Sequence, residues 1–259
     1  MDRSEPMRHL APLVRERPAV CPQHGEYLAR NLLTTIWSTC PACNAELLAS
    51  DNERGRVEAI AREDRRQAAL LSGSRIPQRF VGRNFENFRA ATDAQRQALS
   101  IARDFAEDFE AHAKRGAGLV FAGGPGTGKS HLAGAILQAV MRPGVRYVTC
   151  MDMIRSVRET WRRDAKASES EVLDLLEGLD LLVIDEVGMQ YGTEGEQNIL
   201  FDVLDRRYRE VRPVIVLTNQ DKAGFKGYVG ERTFDRLTET ARWVPFDWAS
   251  YRPTARKAA

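Results

Sequence analysis

Residues Gly123-Gly124-Pro125-Gly126-Thr127-Gly128-Lys129-Ser130 satisfy the pattern G-x-x-x-x-G-K-[ST] at every required position. That pattern works only between a buried strand and a helix, so it constrains the fold more tightly than any other stretch. Leu119-Val120-Phe121-Ala122, an apolar run before it, is expected to be a buried parallel strand. Leu132, Ala133, Ile136 and Leu137 behind it share one helical face. Glycines let successive backbone N–H groups turn inward around phosphate oxygens, and the helix N-terminus adds a partial positive charge. Lys129 is therefore expected on the β- and γ-phosphates and the Ser130 hydroxyl on Mg²⁺, with His131 counted among the nucleotide-binding residues. A glycine-rich turn that binds nothing would not need its strand and helix placed this way. The chain is expected to bind a nucleoside triphosphate.

Two further strands end in polar residues. Leu181-Leu182-Val183-Ile184 runs into Asp185-Glu186, a buried strand that delivers two acids at its C-terminal end. After a phosphate-binding loop this is the Walker B pattern, with Asp185 orienting Mg²⁺ and Glu186 polarising the attacking water as general base. Val214-Ile215-Val216-Leu217-Thr218 leads to Asn219, placed to face the γ-phosphate and the lytic water, or else a plain turn residue. Arg146-Tyr147-Val148-Thr149-Cys150 and Trp243-Val244-Pro245-Phe246 complete five strands. Helices are expected at 93–112, capped by Thr92, and at 152–163, 168–178 and 194–210, with another carrying 232–237. Strands alternating with helices make an α/β fold with a parallel sheet, the ligand lying at the strands' C-terminal ends.

The N-terminal part carries a different signal. Cys21-Pro22-Gln23-His24 and Cys40-Pro41-Ala42-Cys43 form C-x₂-H…C-x₂-C, two chelating knuckles at zinc-finger spacing. Gly25 follows His24 and suits the left-handed turn that such knuckles need. In a reducing compartment this spacing favours metal over disulfides, and four protein ligands close the site, so the zinc is expected to be structural. The fourth cysteine, Cys150, is expected as a small core residue. A charged, helix-favouring stretch from Asp51 to Leu71 then leads to Ser72-Gly73-Ser74, the expected hinge. The division expected is 1–72, a zinc-binding module with a linker helix, and 73–259, the nucleotide-binding domain.

Charge separates some classes of partner. Thirty-eight Lys and Arg oppose 36 Asp and Glu, a net charge of +2 that does not announce a nucleic-acid binder. Up to Arg75 there are eleven Lys/Arg and ten Asp/Glu, so the zinc module suits a protein partner at least as well as DNA. Arg252, Arg256 and Lys257 in the tail are either phosphate contacts or a solvated end, as Leu10–Val14 is an apolar patch in an otherwise polar first twenty residues. No apolar run reaches membrane-span length and Met1-Asp2-Arg3-Ser4-Glu5 lacks an export-signal core, so the expected compartment is the cytoplasm.

Taken together, the loop, Asp185-Glu186, Asn219 and the late arginines resemble the AAA+ ATPases. From about residue 76 onward the chain resembles the DnaC-type replicative helicase loaders and their IstB-like and DnaA-like relatives. Ile76-Pro77-x-x-Phe80 is similar to the segment leading into the nucleotide pocket. Gly230-Glu231-Arg232-Thr233-Phe234-Asp235-Arg236-Leu237 is similar to the arginine-finger box, and Asp247-Trp248-Ala249-Ser250-Tyr251-Arg252 to the terminal signature. The resemblance implies a five-stranded AAA+ core without the helical lid, ATP or ADP with Mg²⁺, and slow hydrolysis serving assembly and release. It implies that Arg236, or as second choice Arg232, acts on a neighbouring subunit's ATP in a hexameric or spiral oligomer, and that Arg252 touches phosphate within its own chain. It implies that the helix pair at 152–178 lies along single-stranded DNA, and that the partner is a hexameric, DnaB-like replicative helicase. The zinc module replaces the helical N-terminus of the best-known loader, which fits phage-like or prophage-like relatives. An IstB-like transposition regulator and a DNA-binding initiator with a zinc reader are the alternative readings.

Overall fold

The computed structural model describes residues 15–33, 36–189 and 193–252. Leu10–Val14, Arg256 and Lys257 lie outside the described residues. The chain divides into two compact units, Met1–Arg66 and Gln67–Ala259.

The first unit opens with β1 (Glu16–Cys21), β2 (Gly25–Leu33) and β3 (Ile36–Trp37), an antiparallel sheet in sequence order. Cys21 pairs with Gly25 across the loop Pro22–His24, and Gly25 takes φ +77°, the left-handed geometry expected of it. After β3 the chain enters α1 (Pro41–Ser74). Proline suits the first helical position because its missing N–H has no intrahelical partner to lose there. Ser72-Gly73-Ser74, the expected hinge, are the last three residues of this helix, and the chain turns out of it at Arg75 (φ +53°), whereas the division into units falls at Arg66 and Gln67. Its side chains are almost all exposed, including Leu47, Leu48, Val57 and Ile60.

The second unit begins with the end of α1 and a single 3₁₀ turn at Gln78–Phe80. Then come α2 (Asp93–Glu107) and α3 (Phe109–Lys114), one expected helix split at Asp108. Thr92 caps α2 in a capping box with Gln95, as its sequence suggests. The alternating part follows: β4 (Gly118–Gly123), α4 (Lys129–Val140), β5 (Val145–Thr149), α5 (Cys150–Glu159), α6 (Glu169–Gly178), β6 (Leu181–Val187), α7 (Glu194–Arg209) and β7 (Val214–Thr218). It closes with α8 (Lys222–Val229), α9 (Glu231–Thr240) and β8 (Ala241–Phe246). Cys150 opens α5 rather than ending β5, and it is fully buried as a core residue.

The strands form one parallel sheet in the order β5-β6-β7-β4-β8. Because side chains alternate along a strand, the buried strands feed two cores. Leu119, Phe121, Leu181, Val183, Ile215 and Leu217 pack with residues of α2 and α4 on one face. Val120, Leu182, Ile184, Val214 and Val216 pack with residues of α5, α6 and α7 on the other. Chain order reverses direction across the sheet at β4, since α4 carries the chain to the far edge and β8 returns it to β4's other side. Ligands bind at such a switch point, outside the strands' C-terminal ends.

Candidate nucleotide site and zinc centre

The loop from β4 to α4 turns on left-handed glycines, with φ +77° at Gly126 and +103° at Gly128. A Cβ on Gly128 would sit 2.7 Å from the Phe88 ring, and one on Gly126 would overlap the Ser250 side chain, so neither position admits a side chain. Gly128 caps α4, leaving its first N–H groups directed at the loop. Thr127 Oγ1 donates to Gly124 O at 2.8 Å and tightens the turn. Gly123 and Pro125 complete the cradle.

Lys129 is buried, and its ammonium donates to Gly123 O at 2.5 Å and Gly124 O at 2.8 Å. Burial pulls its pKa down to about 8, and Arg252 acts in the same direction against the attraction of Asp185. Ser130 Oγ donates to Asp185 Oδ2 at 2.9 Å, so the two expected magnesium ligands already face each other. Glu186 N donates to Asp185 Oδ1 at 2.7 Å, and Tyr147 OH donates to Oδ2.

The end of β6 is locally irregular. Ile184 pairs with Val216 but Val187 with Thr218, so β6 carries one residue more than its partner, and Glu186 takes φ +61°. A bulge of this kind re-aims a side chain at a strand's end, and a non-glycine residue at positive φ is a strained position typical of functional sites. The tip of β7 is tied to the same segment: Thr218 Oγ1 donates to Val187 O at 2.8 Å, and Asn219 Nδ2 lies 3.4 Å from Met189 Sδ. Since β7 lies between β4 and β6, Asn219 stands between the Lys129 loop and Glu186.

The terminal segment straps the loop from the other side. Trp248 Nε1 donates to Thr127 O and Tyr251 N to Gly126 O, both at 2.9 Å, while the Arg252 stem lies against Gly126. The Trp248 ring packs on Phe246 at 4.8 Å between centroids. Arg252 is thereby brought to the phosphate loop. Sequence reasoning placed Trp248 and Tyr251 in the terminal signature but assigned them no role; two aromatics in a short tail after the last strand were the available signal.

His131 Nε2 lies 2.9 Å from Asn84 O, and its ring meets Phe88 edge-on at 5.3 Å, so its side chain is engaged with the segment before α2. Phe80 packs against the ring of Tyr147 at 6.2 Å, and Gln138 Nε2 donates to Phe80 O at 3.1 Å. Arg236 and Arg232 lie elsewhere. Arg236 borders a cavity of about 280 Å³ with Gly116 and Val214, which stand at the starts of β4 and β7, the sheet edge opposite the phosphate loop. Its guanidinium pairs with Asp205 over the rings of Phe201 and Tyr208, while Arg232 is exposed near Phe201.

In the first unit, the loop Pro22–His24 and the start of α1 bring Cys21, His24, Cys40 and Cys43 together, all ligand atoms within 4.8 Å of one another. His24 Nδ1 lies 3.2 Å from Cys43 Sγ, 3.7 Å from Cys21 Sγ and 3.8 Å from Cys40 Sγ, and the sulfurs of Cys21 and Cys43 are 3.4 Å apart. Tetrahedral zinc with ordinary bond lengths has edges of about 3.5–3.8 Å, so the donor set fits that ion. Backbone N–H groups of Gln23 and His24 hold the Cys21 thiol down at about 6, toward the thiolate a metal requires. Glu46 Oε1, 3.0 Å from His24 Nε2, fixes the ring from behind, a partner the sequence reading missed.

Comparison with known proteins accords with this geometry. The profile of the IstB-like ATP binding proteins matches residues 54–259. The replicative helicase loader DnaC of Buchnera aphidicola subsp. Schizaphis graminum is 35% identical over 218 residues, 82% of this chain and 87% of that protein. The replicative helicase loader DnaC of Escherichia coli K12 is 37% identical over 214 residues, 80% and 86% of the two chains. A crystal structure of the DnaC helicase loader superposes with a TM-score of 0.58 at 23% identity, covering 65% of this chain and 98% of that one, which establishes the shared fold. The chain belongs to the IstB-like ATP-binding proteins and to the family of the DnaC replicative helicase loaders.

Proposed function

We propose that this protein is an ATP-dependent loader that places a hexameric, DnaB-like replicative helicase on single-stranded DNA during initiation of replication in the cytoplasm. The observation that carries the reading is the gathering of Lys129, Ser130, Asp185, Glu186 and Asn219 at one sheet edge in a chain that matches helicase loaders over four-fifths of its length.

Lys129 and the loop amides hold the phosphates, with Arg252 beside them. Ser130 and Asp185 hold magnesium, which when bound supplies neutralisation of phosphate charge. Glu186 takes a proton from the attacking water, and Asn219 orients that water. Phe80, from the segment before α2, and His131, from the first turn of α4, border the nucleotide. Arg236, with Arg232 as second choice, completes a neighbouring chain's site in a hexameric or spiral oligomer. Cys21, His24, Cys40 and Cys43 hold a structural zinc ion, and the region 1–72 docks the helicase.

Single-stranded DNA lies along α5, α6 and their connection. Exposed Trp161 stands there with Arg162, Arg163 and Lys166, the pairing of an aromatic face with cations that serves unstacked bases and a phosphate backbone. Among the described residues no helix is long and apolar enough to cross a membrane.

The test is helicase delivery to a circular single strand coated with binding protein, with and without this chain. Wild type should raise the amount of helicase loaded, and Lys129→Ala and Cys43→Ser should abolish the gain by separate routes. No gain with wild type, joined to a preference for duplex over single-stranded DNA, would turn the reading to an IstB-like transposition regulator.

A further inference from the structure

We infer that Tyr147 is a positioning residue for the magnesium carboxylate, an inference that rests on the reading of the site as one for ATP and Mg²⁺. The register puts the two side chains on one sheet face, in diagonal neighbourhood. β5 and β6 run parallel with Tyr147 opposite Val183 and Thr149 opposite Asp185, so Tyr147, Val183 and Asp185 share the sheet face covered by α4. Ser130 stands in the first turn of that helix.

The tyrosine is 3% exposed, its ring packed toward Phe80 and its hydroxyl turned along the sheet to Asp185 Oδ2. The carboxylate is held at three points: Tyr147 OH and Ser130 Oγ on Oδ2, and Glu186 N on Oδ1. Of these, the serine is the one whose oxygen would also ligate the metal ion, through a lone pair, while its proton can stay on Oδ2. The backbone N–H of Glu186 sits in the bulge and cannot by itself define the plane of the carboxylate. Tyr147 is the side-chain donor that takes no part in ligating the ion, and it keeps Oδ2 aimed at the Ser130 side of the site while the metal is bound. A phenol suits this role because it is rigid, its ring is fixed by packing, and it reaches Asp185 from the neighbouring strand without crossing the space in front of the loop. The contact with Phe80 adds that the segment before α2 and the metal carboxylate lean on opposite ends of one side chain.

The experiment compares full-length wild type and Tyr147→Phe, which keeps the ring and removes only the hydroxyl. Binding of a fluorescent ATP analogue is followed during a Mg²⁺ titration and, separately, in EDTA. In EDTA the two proteins should bind the analogue within about twofold of each other, because the loop and Lys129 are untouched. The half-saturating Mg²⁺ concentration should rise about fivefold or more in the variant, as expected for losing a hydrogen bond to a charged group on the metal-dependent step. Tyr147→Leu, which also removes the ring, should raise the Mg²⁺ requirement as well and in addition weaken binding in EDTA through Phe80. An unchanged or lowered Mg²⁺ requirement in Tyr147→Phe overturns the inference, a lowered one meaning that the phenol merely drains charge from Asp185. Equal losses in EDTA and in Mg²⁺ overturn it too, since they describe damage to the pocket. If wild type itself binds no analogue, the ATP reading fails before Tyr147 is tested.

Discussion

Nucleotide binding should take up a proton at alkaline pH, and Lys129 should be the group that accepts it. Its ammonium is buried against two carbonyls with Arg252 nearby, and burial lowers its pKa from 10.5 to about 8. The sign follows from which state prefers the proton. In the unliganded fold the lysine binds its proton less well than in the unfolded chain, so stability rises with pH between about 8 and 10.5 and lacks this contribution below 8. Triphosphate oxygens restore the preference for the charged form and return the group toward its ordinary value near 10.4. At about pH 8.5 the free protein then holds roughly a quarter of a proton at this site and the complex almost a whole one, an uptake of about 0.7 per nucleotide. At about pH 7 the uptake shrinks to about 0.1, because the free lysine is already charged. Above pH 8 affinity should fall with a slope approaching roughly tenfold per pH unit. Calorimetric titration with Mg²⁺-ATP at the higher pH, in two buffers of different ionisation enthalpy, reads the uptake directly. Lys129→Met should bind more weakly and take up nothing. Zero uptake in wild type at the higher pH, or an affinity that does not depend on pH between 7 and 9.5, would refute the account of Lys129.

Other perturbations separate the parts of the molecule. Removing the Trp248 donor with Trp248→Phe leaves the ring on Phe246 but frees Thr127 O, so ATP affinity should fall about fivefold at a nearly unchanged melting temperature, measured by fluorescence titration and thermal melts. Arg207 is fully buried and donates to Leu176 O, Glu177 O and Pro213 O, closing the end of α6 onto the start of β7; Arg207→Met strands those carbonyls and should cost about 3 kcal/mol in urea denaturation. Zinc should be found at about one ion per chain by metal analysis. Its removal, or Cys43→Ser, should expose the 16–40 hairpin to proteolysis while ATP affinity stays within about twofold.

The residues that carry chemistry were legible where the chemistry demands a fixed spacing. The eight-residue phosphate loop, the acids ending β6 and the paired knuckles around Cys21 and Cys40 are local patterns, and the structure sets Ser130 against Asp185 and gathers the four Cys and His ligands. Strand and helix positions followed because buried parallel strands are short apolar runs, and five of them were recognised within a residue or two. What escaped was set by contact across the fold. Tyr147 read as one more strand residue, since only the β5–β6 register brings it to Asp185. Glu46 and Gln138 belong to no sequence motif, and what they do depends on what packs beside them.

The placement of Arg236 bears on how many chains a working site needs. Gly116 and Val214, its neighbours around the cavity, stand where β4 and β7 begin, whereas the phosphate loop starts where β4 ends. Five strand steps separate the two edges, about 17 Å, which exceeds the reach of one side chain. Arg236 therefore does not serve its own chain's phosphate loop from this position. In the proposed role the nucleotide it acts on would be held by another copy, and it would first have to leave Asp205, whose other oxygen is 3.1 Å from Arg209. Asp205 pairs with both Arg236 and Arg209, so a guanidinium drawn away by a stronger anion would leave Arg209 to neutralise the aspartate. A single chain presents a phosphate loop and, at the opposite end of the sheet, an Arg236 that faces away from it; if Arg236 acts as proposed, hydrolysis would require a second copy and would be tied to the moment when copies meet.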